Sequence, residues 1–181
     1  MTRIIAGVAG GRSLRVPAGS GTRPTSDRAR EGLFSTLGDL TGLRVLDLFA
    51  GSGAVGLEAL SRGAAHATLV EADPRAVAVV RANVVTLGLP GAVVAAQRVE
   101  RWLAAGVPMS GSGSEAFDVV FLDPPYADPV EAVLAAVVPW ARGTVVVERA
   151  SRDGAPPWPE GLVPLRSRRY GEGTLWYGFR S

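Results

Sequence analysis

From Arg44 onward the sequence alternates short apolar runs with stretches of helical periodicity, and this alternation constrains the fold more than any other feature. The runs at 44–49, 67–71, 92–97, 118–122 and 144–148 read as buried strands, and the segments between them read as helices. Repeated strand-helix-strand units of this kind build a mainly parallel sheet with helices on both faces. Asp73-Pro74 and Asp128-Pro129 each set a capping carboxylate before a proline suited to a first helical turn, and Gly63 and Gly88 stand where helices should stop. At the far end, residues 162–170 and 174–180 flank Gly171-Glu172-Gly173, the pattern of an antiparallel hairpin that closes the sheet at about seven strands.

The first 25 residues depart from this rhythm. They are rich in Gly and Arg, with strand-like pieces at 3–7 and 13–17 around Gly10-Gly11, and are expected to form a β-hairpin arm (1–25) ahead of the main domain (26–181). A capped helix over 26–37 follows, with Ala29, Leu33, Phe34 and Leu37 on one side. Residues 109–114 read as a Gly/Ser surface loop.

Composition excludes several function classes. With 181 residues the chain can bury one ordinary core, and it is too short to favour two full domains. Cys 0 excludes a thiol nucleophile and cysteine-ligated zinc, and His 1, at His66, excludes a histidine metal cluster, so no metal is expected. No apolar stretch approaches the roughly 20 residues that span a bilayer, and the N-terminus lacks a signal-peptide core. A monomeric cytoplasmic protein is the expectation. All 19 basic residues are arginine, so compositional bias competes with function as the explanation for any one of them.

Two motifs carry chemistry. In the first, residues 45–49 form a strand that ends in Ala50-Gly51-Ser52-Gly53-Ala54-Val55-Gly56, a glycine turn that opens a helix and lets a ligand approach the backbone. Glu71, at the end of the next strand, is spaced to accept hydrogen bonds from ribose hydroxyls, and Ala72 follows it. Gly51, Gly53 and Gly56 also match a dinucleotide fingerprint, so an NAD-binding oxidoreductase is a competing reading. Asp47 favours S-adenosyl-L-methionine instead, because that cofactor brings a cationic amino group and a sulfonium and no pyrophosphate. Phe49, Ala50, Gly51 and Gly53 would line its site.

The second motif is Asp123-Pro124-Pro125-Tyr126, at the carboxyl end of the run 118–122 and therefore on the same sheet edge. An aromatic amino group is a poor nucleophile because its lone pair is delocalised into the ring. Hydrogen bonds from that group to the Asp123 carboxylate and the Pro124 carbonyl would turn the nitrogen towards tetrahedral geometry. Pro124 and Pro125 fix the backbone and remove amide donors, and Tyr126 would stack on the base. A proline-rich turn after a strand is the plain alternative.

With these motifs the chain resembles the class I, Rossmann-like methyltransferases that methylate amino groups. The opening Arg3-Ile4-Ile5-Ala6-Gly7, Gly11-Arg12-Ser13-Leu14 and Thr22-Arg23-Pro24-Thr25-Ser26-Asp27-Arg28-Ala29-Arg30-Glu31-Gly32-Leu33-Phe34, with Arg169-Tyr170-Gly171, resembles RsmD-type bacterial small-subunit rRNA guanine-N2 methyltransferases. The resemblance implies methylation of guanine 966 of 16S rRNA in the assembling 30S subunit. It implies phosphate contacts by Arg3, Arg12, Arg15, Arg23 and Arg28, and closure over the cofactor by Thr25. Where relatives carry an acidic residue for the adenine amino group this chain has Arg98, so adenine recognition falls to the Val99 backbone or Glu100. A DNA adenine-N6 or cytosine-N4 methyltransferase and a non-catalytic RNA-binding assembly factor are the remaining alternatives.

Overall fold

A computed structural model describes residues 2–18, 26–110, 113–125 and 129–181. The chain runs β1 (Thr2–Arg3), β2 (Ser13–Leu14), α1 (Asp27–Leu37), β3 (Arg44–Leu48), α2 (Ala54–Ser61), β4 (His66–Glu71), α3 (Pro74–Leu87) and β5 (Ala92–Ala96). It continues through α4 (Val99–Ala104), β6 (Met109–Ser110), β7 (Gly113–Ser114), β8 (Phe117–Leu122), α5 (Val130–Val137), β9 (Ala141–Ala150), β10 (Leu162–Tyr170) and β11 (Gly173–Arg180). The central sheet has seven strands in the order β10-β11-β9-β8-β3-β4-β5. The five strands from β9 to β5 are parallel, and the C-terminal hairpin adds antiparallel to β9.

Side chains alternate across each strand, and this sorts the core into two layers. On one face Val45, Leu69, Val119, Phe121, Val146 and Leu175 pack with Leu33 and Phe34 of α1, Leu57 of α2 and Val80 of α3. On the other, Leu46, Leu48, Val120, Leu122 and Val147 pack with Leu103 of α4 and Leu134 of α5. Helix α3 begins as the sequence requires: Asp73 accepts from the Arg75 and Ala76 amides, Pro74 opens the helix and Gly88 ends it in a left-handed conformation.

The structure corrects several sequence expectations. Residues 109–114 hold a short antiparallel pair, β6 and β7, instead of a plain loop. Strand β9 is ten residues long and outruns the apolar run 144–148, because pairing with β8 on one side and β11 on the other keeps its charged ends extended. Strand β5 lies at the sheet edge and is only half-buried. Pro129, with no side-chain cap, precedes α5; Asp128 lies outside the described residues.

The arm is bound to the body of the fold. Ile4, Ala9 and Leu14 are buried in the α1–α3 core layer. The Glu58 carboxylate of α2 accepts the Ile5 and Ala6 amides at 2.7 and 3.0 Å, and Ser61 Oγ accepts the Ala9 amide at 2.9 Å. Arg30, 0% exposed, lies 3.6 Å from the equally buried Glu58 and donates to Arg3 O and Asp27 Oδ1. Among the described residues, no helix is long and apolar enough to cross a membrane.

Candidate active site

Strand β3 ends where Phe49 takes φ 63°, a left-handed conformation that a β-carbon normally disfavours. The chain then turns at Gly51 (φ 56°) and Gly53 (φ 80°) into α2. A β-carbon at Gly53 would meet Val80 at 2.5 Å, so this glycine is required by packing as well as by φ. A β-carbon at Gly51 would meet nothing within 4 Å, which leaves open space beside the turn for a ligand. Ala50 anchors the turn by donating its amide to Val70 O at 3.0 Å.

Two carboxylates hold the turn in place. Asp47 is 2% exposed and accepts the Gly56 amide at 2.9 Å, tying β3 to the first turn of α2. Burial pushes its carboxyl up to about 7, against the pull of the Gly56 bond, and the Glu71 charge adds to the rise. Glu71 accepts the Gly51 amide on Oε2 and the Ala72 and Asp73 amides on Oε1, all at 2.8 Å. It thus bridges the glycine turn and the start of α3, and Oε2, with one donor, keeps acceptor capacity. The Ala72 amide is occupied by Glu71.

Strand β8 delivers Asp123, Pro124 and Pro125 to the same edge, one strand from the glycine turn, with Leu48 and Leu122 as partners in register. Asp123 is half-buried. Burial raises its carboxyl well above the usual range, and the neighbouring Glu148 and Asp47 charges raise it further. Glu148 was not singled out in the sequence. The signal was present, since Glu148 closes an apolar run as Asp123 does. Tyr126, Thr25 and Arg23 lie outside the described residues.

The other predicted contacts separate. Val99 opens α4 with its side chain in the core, and exposed Glu100 sits 3.3 Å from Arg98, so these two charges face one another. Arg12 donates to the Leu87 and Thr86 carbonyls at the C-terminus of α3, an internal role that the sequence did not suggest. Arg3 lies 3.8 Å from Asp27, and Arg15 and Arg28 are exposed. Buried Asn83 of α3 joins the arm to the site: its Oδ1 accepts the Arg15 amide, and its Nδ2 donates to Arg15 O and to Ser52 O at 3.0 and 2.9 Å. Among the described residues, no group of three or more His, Asp and Glu side chains could hold a metal ion.

A strand-end carboxylate beside a glycine turn, next to a second strand ending in Asp-Pro-Pro, can hold a cationic ligand against an acceptor for an amino group. The relatives are named as methyltransferases. Residues 2–178 match the family described as "Conserved hypothetical protein 95". A Bacillus subtilis protein named "Putative rRNA methyltransferase YlbH" is 38% identical over 93% of this chain and 94% of its own length. The chain belongs to this RsmD-type methyltransferase family. Escherichia coli "Ribosomal RNA small subunit methyltransferase D" is 44% identical, the match spanning 68% of this chain and 60% of that protein. The solved structure "Putative methyltransferase yhhF from Escherichia coli" superposes with a TM-score of 0.85 at 32% identity, covering 99% of this chain and 97% of that one. Within the RsmD-type family, the seven-strand order and the N-terminal strand pair found here are those of a class I methyltransferase with an added arm.

Proposed function

We propose that this protein transfers a methyl group from S-adenosyl-L-methionine to the exocyclic N2 of a guanine in 16S rRNA, at position 966, within the assembling 30S subunit. One observation carries the reading: Asp123-Pro124-Pro125 ends β8 directly beside the glycine turn that ends β3, in a chain whose relatives are named as rRNA methyltransferases.

The residues present fit the cofactor. Asp47 would meet its amino group, Glu71 its ribose hydroxyls, and the open space beside Gly51 would admit it against the backbone. When bound, it supplies an electrophilic methyl on a positively charged sulfur. Asp123 and the Pro124 carbonyl accept hydrogen bonds from the amino group and turn its lone pair outward. Asp123 need not be a strong base, since the nitrogen becomes acidic only as its new bond forms; its raised affinity for a proton then suits it to take the one released. Most of the acceleration comes from placement, for which oriented reactants supply about 7–11 kcal/mol. Arg15 and Arg28, exposed on the arm and at the start of α1, would meet phosphates, and Tyr126 would stack on the base.

The test is incubation with labelled S-adenosylmethionine and 30S particles lacking the mark, followed by mass-spectrometric mapping of the modified nucleotide. Methyl on N2 of that guanine is expected. Label on duplex DNA and none on 30S particles would favour a DNA methyltransferase instead.

A further inference from the structure

The sheet register brings a second carboxylate beside Asp123. Phe121 pairs with Val146 and Leu122 with Val147 across the parallel strands β8 and β9, so the next pair outward is Asp123 and Glu148, on strands about 4.8 Å apart. The alternation puts both on one face. Val119, Phe121 and Val146 point into the α1–α3 layer and Val120, Leu122 and Val147 into the other, so Asp123 and Glu148 continue the first series. Leu175, the cross-strand partner of Glu148 on β11, lies in that same layer. Glu148 is paired to Leu175 of β11, and the preceding Val147 is paired on both sides, which makes the Glu148 backbone a firm support. The two groups feel each other, since the Glu148 charge raises the affinity of the Asp123 carboxyl for a proton.

We propose that Glu148 selects guanine: its carboxylate accepts the N1–H of the target base while Asp123 accepts from the N2 amino group. This rests on the methyl-transfer reading above and names how that site tells bases apart. Ionised carboxylates only accept hydrogen bonds. Guanine presents a donor N1–H immediately beside its donor amino group, so two adjoining acceptors match that edge. Adenine and cytosine flank their amino groups with ring nitrogens that only accept. Either base would set a ring-nitrogen lone pair against the Glu148 carboxylate, a repulsive contact in place of a hydrogen bond. The row of carboxylates is thus divided by role: Asp47 and Glu71 face the cofactor, and Asp123 and Glu148 face the base.

The discriminating probe is 2-aminopurine, which keeps the reactive amino group and replaces N1–H with an acceptor. Thirty-S particles are reconstituted with guanine or 2-aminopurine at the target, and initial methyl-transfer rates are compared for the wild type and Glu148→Gln, with S-adenosylmethionine affinity measured in parallel. The wild type should prefer guanine by about 100-fold or more. Glu148→Gln, whose amide can donate to an acceptor, should bind the cofactor normally and discriminate by less than about 10-fold. Equal wild-type rates on the two particles would overturn the assignment without any variant. So would wild-type discrimination retained by Glu148→Gln. A wild type inactive on the guanine particle but binding the cofactor would overturn the rRNA reading itself, and with it this role.

Discussion

At the scale of single residues, the proposed site rests on carboxylates, and the fold makes two of them, Asp47 and Asp123, costly to ionise. Asp47 titrates near 7 in the folded chain against an ordinary value of 3.8, so folding favours its neutral form. The folded state holds this proton to higher pH than the unfolded one. Stability from this group is therefore full below about 3.8 and is lost as pH rises to about 7, on the order of a few kcal/mol in all. Asp47→Asn should flatten that loss, measured as urea-unfolding stability across pH 4–8. The ligand amino group needs the ionised form, so S-adenosylmethionine affinity in the wild type should rise with pH through about 7, and Asp47→Asn should bind weakly at every pH by calorimetric titration. Asp123 separates from Asp47 by its readout. Asp123→Ala should keep cofactor binding and lose about 10²–10³-fold in methyl transfer, the scale of removing one aligned hydrogen-bonding group at a reacting centre. Full activity of that variant would remove Asp123 from the chemistry.

At the scale of elements, the arm, α1 and α2 form one unit around Glu58. Its carboxylate neutralises Arg30, completely buried beside it, and accepts two arm amides and the Arg62 side chain at 2.8 Å. Glu58→Ala would leave the buried Arg30 guanidinium with only the half-exposed Asp27 as a charge partner and two arm amides without their acceptor, a loss of about 3 kcal/mol. The expected outcome is a large drop in urea midpoint with faster proteolysis near residues 4–9; unchanged protection would show that the arm is held by its apolar contacts alone. The Arg30–Glu58 pair and the arm amides on Glu58 were not legible in the sequence, because these groups sit on different elements and meet only after packing. Asn83 was equally silent: inside α3 it reads as one more polar helix residue, and only the tertiary fold sets it between Arg15 and Ser52. The strand ends were legible for a local reason. Gly51 and Asp123 stand where an apolar run stops, Asp47 interrupts the last residues of one, and in a parallel sheet that boundary is the edge where ligands bind. Glu148 also closes the apolar run 144–148, but its place beside Asp123 follows from the register of β8 with β9, which only the folded sheet sets.

At the scale of the whole molecule, charge is divided between the sheet edge and the surface. Asp47, Glu71, Asp123 and Glu148 fall at the carboxyl ends of β3, β4, β8 and β9, while exposed arginines occupy the arm and the outer strand β10, so a net charge of +2 conceals a strongly polarised surface. That division favours one of the two cofactors that the proposed site at the glycine turn would admit. A pyrophosphate set against these carboxylates meets like charge, whereas a ligand with a cationic amino group and a sulfonium meets opposite charge at short range. Thermal unfolding measures the difference. A ligand at 100 times its dissociation constant stabilises the folded state by about 2.7 kcal/mol. For a domain of this size each kcal/mol moves the midpoint by about 2–4 °C, so S-adenosylmethionine at that excess should raise it by about 5–10 °C. NADH at equal concentration should leave it unchanged, and Asp47→Asn should abolish the response to S-adenosylmethionine. A shift with NADH alone would mean that the glycine turn holds a pyrophosphate despite the acidic edge, and the methyl-transfer reading would fall with it.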